Sequence, residues 1–235
     1  MSSKGSIRIG GWSLLFGAIA FMAVFTYLAA AFDYPDVLDG PAATVLPSLL
    51  ATGSTGRAVW ALYAFLPLVW IPAGVGAYMA LRHSRPGSGL LAAQFAVVAA
   101  AAMMVGLMRW PAIHWRLAQL YELADPGQRA VLEALFDGLN TYLGNYVGEF
   151  LGELAFSLYF LLVSSALLRT PGVPRIIAVS GLVTGAAGLV GMFRNISGVV
   201  APVAALNNYL VPVWMIVLGL VFVRWKGAGE ATVGT

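Results

Sequence analysis

The sequence predicts an all-α integral membrane protein, a bundle of six transmembrane helices with an extracytoplasmic helical cap. Of its 235 residues, 60% are hydrophobic and only 10% are charged, whereas a soluble domain has roughly 25% charged residues. Six apolar stretches approach the length of about 20 residues that a helix needs to cross a bilayer. These stretches lie at about 11–32, 58–81, 90–108, 143–168, 176–196 and 209–224. We therefore treat 1–235 as a single membrane domain.

The first stretch also resembles a signal peptide, because Lys4 and Arg8 precede it and alanines end it. The apolar region of a signal peptide is shorter, about 7–15 residues, so we interpret 11–32 as a true first span. Proline removes a backbone hydrogen bond and kinks a helix. The second and sixth stretches are therefore predicted to be interrupted, at Pro67, Pro72 and Pro212.

The basic residues predict the orientation. Eight of them fall on one side of the predicted membrane and five on the other, and the richer side is expected to be cytoplasmic. The inner set is Lys4, Arg8, Arg82, Arg85, Arg169, Arg175, Arg224 and Lys226, and the outer set is Arg57, Arg109, Arg116, Arg129 and Arg194. Both termini are then expected to be cytoplasmic, and the even number of spans agrees with termini on the same side.

Two long connections, 33–56 and 109–142, lie on the predicted outer side. In the first, 42–51 has the composition of a short interfacial helix. The second contains an N-terminal capping pattern, with Asp125 as the cap, proline directly after it and Gln128 three positions on. These segments are predicted to form the helical cap on the outer membrane face.

The fourth stretch carries two carboxylates, Glu149 and Glu153. An ionised carboxylate inside a membrane is costly unless it is paired, hydrated or protonated, and such residues favour a functional role. At about 100° per residue on an α-helix, the two glutamates share one face with Tyr142 and Asn145. Two carboxylates this close are expected to titrate as a coupled pair.

A stripe of glycines runs beside this polar face. Small residues spaced four apart allow two membrane helices to approach closely. The stripe consists of Gly144, Gly148 and Gly152, and its predicted partner on the fifth stretch consists of Gly181 and Gly185.

Other polar residues lie at a similar predicted depth and complete an outward-facing polar pocket with Glu153 at its floor. Arg194 and Asn195 end the fifth stretch, and Trp110 and His114 follow the third. The alternative is a structural ion pair between the glutamates and Arg194. For Trp110 the alternative is an aromatic belt at the membrane surface, and for His114 it is a solvated interfacial position.

Several kinds of site are excluded or disfavoured. The absence of cysteine excludes disulfides, thiol catalysis and iron–sulfur clusters. Glu149, Glu153 and His114 have donor atoms for a metal, but no Glu-x-x-His pair of a di-iron bundle occurs, and no metal is predicted. The two histidines, His83 and His114, lie at opposite ends of the spans, which disfavours haem, so no cofactor is predicted. No basic run is long enough for nucleic acid.

Four local motifs resemble an uncharacterised family of bacterial six-span membrane proteins. They are Phe-Asp-Tyr-Pro-Asp-Val-Leu at 32–38, Arg-Trp-Pro at 109–111, Tyr-Leu-Gly-x-x-Val-Gly-Glu-x-Leu-Gly at 142–152, and Pro-Arg at 174–175. The family is described as a domain of unknown function, and it tends to carry histidines where this chain has Thr141 and Phe150. The resemblance implies the fold and a bacterial plasma membrane, with no reaction.

Three functions agree with these observations. The first is binding or transport of a small molecule or ion in the polar pocket, coupled to protons through the carboxylate pair. The second is an intramembrane enzyme that uses the carboxylates as general acid and base on a lipid or isoprenoid substrate. The third is a non-catalytic structural or partner subunit. Membrane lipid is the expected partner in each case, an oligomer is possible, and nucleic acid is not expected.

Overall fold

The computed structural model describes residues 2–225, apart from the side chain of Asp39, so Lys226 of the predicted inner set lies outside the described residues. This part of the chain is helical and contains no strand, which confirms the predicted all-α membrane bundle. The α-helices are α1 Ser3–Phe32, α2 Ala42–Ala51, α3 Gly53–Phe65, α4 Trp70–Leu81, α5 Pro86–Met108, α6 Trp115–Leu123, α7 Pro126–Leu139, α8 Gly152–Leu167, α9 Arg175–Gly191 and α10 Ala201–Val223.

Six helical segments of the described chain are long and apolar enough to cross a membrane. They are Ser3–Phe32, Gly53–Leu81, Pro86–Leu123, Pro126–Leu167, Arg175–Asn195 and Gly198–Val223. The third and fourth are much longer than the apolar stretches at 90–108 and 143–168. Their extra length is the predicted second connection, where α6 continues the third segment and α7 begins the fourth.

Two π-helical segments and a 3₁₀ turn interrupt this regular pattern. The π-helical segments are Trp110–His114 and Asn140–Leu151. The predicted break in the second span is present at Pro67, in the 3₁₀ turn Leu66–Val69, whereas Pro72 lies inside α4. The sixth span is not broken, because α10 runs through Pro212 as one helix.

The chain divides into two compact units, which are described separately. Unit one contains Met1–Ile19, Pro67–Ala101 and Phe150–Thr235, as far as these ranges are described, and unit two contains Ala20–Leu66 and Ala102–Glu149. In unit one, small residues bring helices into backbone contact, as at Gly10 of α1 against Gly76 of α4. Such contacts are how membrane helices pack closely without a hydrophobic driving force.

Unit two is built around buried aromatic side chains. Trp60 and Trp110 are both fully buried and stack with 4.8 Å between ring centroids. The short helices α2, α6 and α7 pack on one another beside this core. The predicted helix at 42–51 is α2, and the predicted capping box is present, since Gln128 N donates to Asp125 Oδ1 at 2.9 Å. Both predictions are confirmed.

Candidate functional site

Arg109 is the most deeply buried cation described in unit two, with 5% of its surface exposed. It follows the end of α5 and directly precedes the first π-helical segment. Its Nε donates to Asn140 Oδ1 at 3.0 Å, and its Nη1 donates to the Gly106 carbonyl at 2.6 Å. The guanidinium carbon lies 5.1 Å from the centre of the Trp110 ring. A buried guanidinium requires such hydrogen bonds because its desolvation is costly.

Asn140 fixes this arginine to a distant part of the chain. While its Oδ1 accepts from Arg109, its Nδ2 donates to the Leu38 carbonyl at 3.0 Å. Asn140 is itself buried and begins the second π-helical segment. The amide therefore joins the Arg109 side chain to the turn that follows α1, and both of its polar atoms are used.

Glu149 supplies negative charge to the same centre. Its half-buried carboxylate interacts electrostatically with Arg109 and with Tyr63. The Tyr63 hydroxyl lies 3.2 Å from the hydroxyl of Tyr34. We call Arg109, Asn140, Glu149, Tyr34 and Tyr63 the Arg109 cluster, and all five belong to unit two.

Two glycines allow this arrangement. A Cβ at Gly144 would overlap the guanidinium of Arg109, and a Cβ at Gly148 would press on the Gly106 backbone of α5. In unit one, a Cβ at Gly181 would meet Ser164 and Trp214, and a Cβ at Gly185 would meet Leu161. Gly144 and Gly148 therefore pack against residues of the third span, whereas the sequence predicted Gly181 and Gly185 as their partners.

The π-helical segment also changes the predicted polar face. Its hydrogen bonds join residues five apart, so its turns are wider than those of an α-helix, and a rotation of 100° per residue does not apply from Asn140 to Leu151. Tyr142 is 65% exposed, and Asn145 is half-buried. Tyr142 was predicted to share the inward stripe of the glutamates, and this prediction is wrong. The difference follows from the helix type, which the sequence pattern did not reveal.

Glu153 and Arg194 form an ion pair in unit one. Arg194 Nη1 donates to Glu153 Oε2 at 2.5 Å, and also to the Gly191 carbonyl at 3.3 Å. The Glu153 side chain is 8% exposed and that of Arg194 is 24% exposed. The predicted contact between these two residues is present. Gly152 is buried beside Glu153 at the start of α8, and Asn195 is half-buried beside Arg194.

Trp110 and His114 lie inside unit two. Both are fully buried, and His114 packs edge-on against Trp110 at 4.8 Å and beside Phe136 at 4.5 Å between ring centroids. Neither ring nitrogen of His114 has a hydrogen-bond partner among residues 2–225. The interpretations of a solvated histidine and a surface aromatic belt are therefore wrong, because the π-helical turn Trp110–His114 directs both rings into the aromatic core.

Sequence reasoning missed Asn140, Gly106, Tyr34 and Tyr63. Tyr34 lies within the motif at 32–38, and Asn140 is a lone amide after the apolar helix α7, so both had a signal in the sequence. Gly106 and Tyr63 had none, because glycine and tyrosine are ordinary residues in apolar spans. Three motifs that are distant in sequence thus meet at one centre, through Tyr34, Arg109, and Gly144 with Glu149.

Comparison with protein families confirms the predicted resemblance to a family of unknown function. The family model described as a domain of unknown function, DUF4386, matches residues 9–225. The chain belongs to this family. The match extends from α1 to the residues after α10, so the DUF4386 family covers all six candidate spans and both units. The family description and the six apolar helices together make the chain a multi-pass membrane protein.

Comparisons with curated proteins and with solved structures found no match to the chain. The side chains of this DUF4386 member therefore provide the evidence for the chemistry of its site. The Arg109 cluster offers a guanidinium, which binds carboxylates and phosphates well, beside a carboxylate that can take up a proton. This combination is suited to binding a charged group.

Proposed function

We propose that the protein binds a small carboxylate-bearing molecule at the Arg109 cluster and carries it across the bacterial plasma membrane, with proton uptake by Glu149. The observation that carries this proposal is the burial of Arg109 within a membrane segment, with Glu149 as its interacting carboxylate. Ionisable residues inside membrane segments are rare, and they commonly mark substrate and proton pathways. π-Helical turns also occur frequently at functional sites.

The geometry at Arg109 supports an anionic substrate. Its Nε and Nη1 donate to Asn140 and Gly106, which hold the guanidinium plane in place. These two bonds use two of the five N–H donors of the guanidinium. A fixed guanidinium with donors to spare recognises a carboxylate at a lower entropic cost than a mobile lysine would.

The charge balance supports coupling to protons. A buried guanidinium needs a negative partner, and Glu149 provides it in this structure. If Glu149 takes up a proton, the charge of Arg109 is no longer balanced, and a substrate carboxylate restores the balance. Tyr63 also interacts electrostatically with Glu149, and Tyr34 and His114 interact electrostatically with Arg109. Substrate and proton then bind together, which is the condition for proton-coupled transport.

The proposal is tested by binding and by uptake. Purified protein is titrated with acetate, lactate and succinate while tryptophan fluorescence is followed, because Trp110 adjoins Arg109. We expect at least one carboxylate to give a saturable change, and its neutral methyl ester to give none. The same carboxylate should enter proteoliposomes faster under an imposed proton gradient.

Two variants test whether the carboxylate binds at Arg109. Arg109→Lys should weaken binding about ten- to a hundredfold, since one charged hydrogen bond contributes about 1.5–3 kcal/mol. The control variant Arg116→Lys, at an exposed position, should bind the carboxylate as the wild type does. Absence of a saturable response to all three carboxylates would overturn the proposal and favour the structural subunit. Saturable binding without uptake would defeat transport.

A further inference from the structure

A second polar centre lies in unit one, between α8, α9 and α10. Ser157 of α8 is fully buried, and Asn207 of α10 is 2% exposed. Neither the Ser157 hydroxyl oxygen nor the Asn207 Oδ1 has a hydrogen-bond partner among residues 2–225. A buried polar atom without a partner costs roughly 1–3 kcal/mol, and native proteins rarely leave two such atoms together.

Gly188 of α9 is where these two side chains come together. A Cβ at Gly188 would overlap the Ser157 hydroxyl and press on the Asn207 amide. The glycine therefore lets a hydroxyl from α8 and an amide from α10 approach the same point on α9. The unpartnered Ser157 oxygen thus lies on the side of the Asn207 amide nitrogen, Nδ2, in a membrane helix seam. A half-turn of the amide exchanges this nitrogen for the unpartnered Oδ1.

A carboxylate lies next to this point. Glu153 precedes Ser157 by four residues on α8, so the two share one helix face, with about 5–6 Å between their Cβ atoms. The carboxylate of Glu153 is buried and is paired with Arg194. Carboxylate, hydroxyl and amide oxygens together are the ligand types that hard cations prefer.

We infer that Glu153, Ser157 and Asn207 bind a monovalent cation, Na⁺, for which the guanidinium of Arg194 substitutes in this structure. The orphaned oxygens of Ser157 and Asn207 become ligands of the ion, and Glu153 supplies its counter-charge. One carboxylate matches the charge of a single monovalent ion. A cation that displaces Arg194 from Glu153 leaves the guanidinium, which is partly exposed, to be solvated.

The sodium site shares no residue with the Arg109 cluster and does not depend on the proposed carboxylate transport. All of its residues belong to unit one. It is tested with the purified protein and Na⁺ alone. The thermal unfolding midpoint is measured in NaCl, KCl and choline chloride at equal ionic strength, since a ligand that binds only the folded state raises the midpoint with its concentration.

We expect the midpoint to rise with sodium concentration and to remain lower in choline chloride. Ser157→Ala and Asn207→Ala should each shift this dependence to about tenfold higher sodium, the effect of losing one ligand. The matched controls are Ser165→Ala on α8 and Asn208→Ala on α10, both at exposed positions, and they should respond as the wild type does.

A direct measurement of ²²Na⁺ binding keeps the test valid if a variant is unstable. Wild-type protein should bind the isotope, and Glu153→Gln should lose this binding while retaining the helical circular dichroism spectrum. Equal midpoints in NaCl and choline chloride, with no bound isotope, would overturn the inference and assign the two oxygens to buried water. Isotope binding that survives in both Ser157→Ala and Asn207→Ala would place the ion elsewhere and also overturn it.

Discussion

The guanidinium of Arg109 lies directly against Gly144 and fills the space that a side chain at position 144 would occupy. This contact explains why the Tyr-Leu-Gly motif of this chain has glycine at position 144, since a larger residue would overlap the guanidinium. The same arginine is held by Asn140 and by the Gly106 carbonyl. The glycine at position 144 of the fourth span therefore makes room for the buried Arg109 guanidinium. The sequence pattern had instead predicted that the glycines pack against the fifth span.

Gly144→Ala should destabilise the protein, because its methyl group must displace the guanidinium or the π-helical backbone. Overpacking of this kind costs typically about 1–3 kcal/mol. The matched control is Gly138→Ala on α7, where a Cβ would meet nothing within 4 Å. That control should be neutral or gain up to about 1 kcal/mol from helix propensity. Thermal unfolding in detergent measures both, and an equal response would contradict the contact.

Arg109→Lys should lower stability as well as weaken carboxylate binding. Lysine keeps the charge but lacks the planar fork that reaches both the Asn140 amide and the Gly106 carbonyl. We expect a loss of about 1.5–3 kcal/mol, the value of one charged hydrogen bond. Hydrogen exchange of the Asn140–Leu151 segment should increase in this variant. Unchanged exchange there would show that Arg109 does not order the segment.

The ion pair of Glu153 with Arg194 should behave as a buried pair in a double-mutant cycle. Arg194→Leu alone leaves a buried carboxylate and should cost about 3–5 kcal/mol, whereas adding Glu153→Met should recover most of that loss. The cycle is measured in choline chloride so that sodium does not contribute. Additive losses from the two substitutions would contradict a direct interaction.

The capping box at Asp125 and Gln128 should stabilise the first turn of α7 and leave the rest of the protein unaffected. Asp125→Ala removes the side chain that accepts from the Gln128 backbone and should cost about 0.5–2 kcal/mol. Asp137→Ala, at an exposed position of the same helix, is the control and should change stability little. Faster hydrogen exchange confined to the first turn of α7 is the expected signature, and an unchanged rate there would count against the cap.

The features that could be predicted from sequence are those that depend on local composition and spacing. Six apolar segments follow from the low charge content and the bilayer thickness. The helix at Ala42–Ala51 and the start of α7 follow from composition and from the pattern at Asp125. The contact of Glu153 with Arg194 was also predicted, as the ion-pair alternative to a polar pocket, because a carboxylate inside a membrane needs a partner.

The features that could not be predicted depend on helix type and on tertiary contact. A π-helical turn has no strong sequence signal, yet it moves Tyr142 outward and brings His114 into the aromatic core. The importance of Arg109 was also hidden, because an arginine at the end of an apolar stretch usually lies at the membrane surface. Only the tertiary structure joins it to Asn140 and to the turn at Leu38.

The most direct test of the account is the carboxylate affinity of Glu149→Gln across a range of pH. In the wild type, binding should tighten as the pH falls, because the substrate replaces Glu149 as the partner of Arg109 and Glu149 takes up a proton. Glu149→Gln should bind the carboxylate tightly at every pH, while Glu122→Gln, at an exposed position, keeps the wild-type dependence. A Glu149→Gln variant with the wild-type pH dependence, or with no carboxylate binding, would contradict the account.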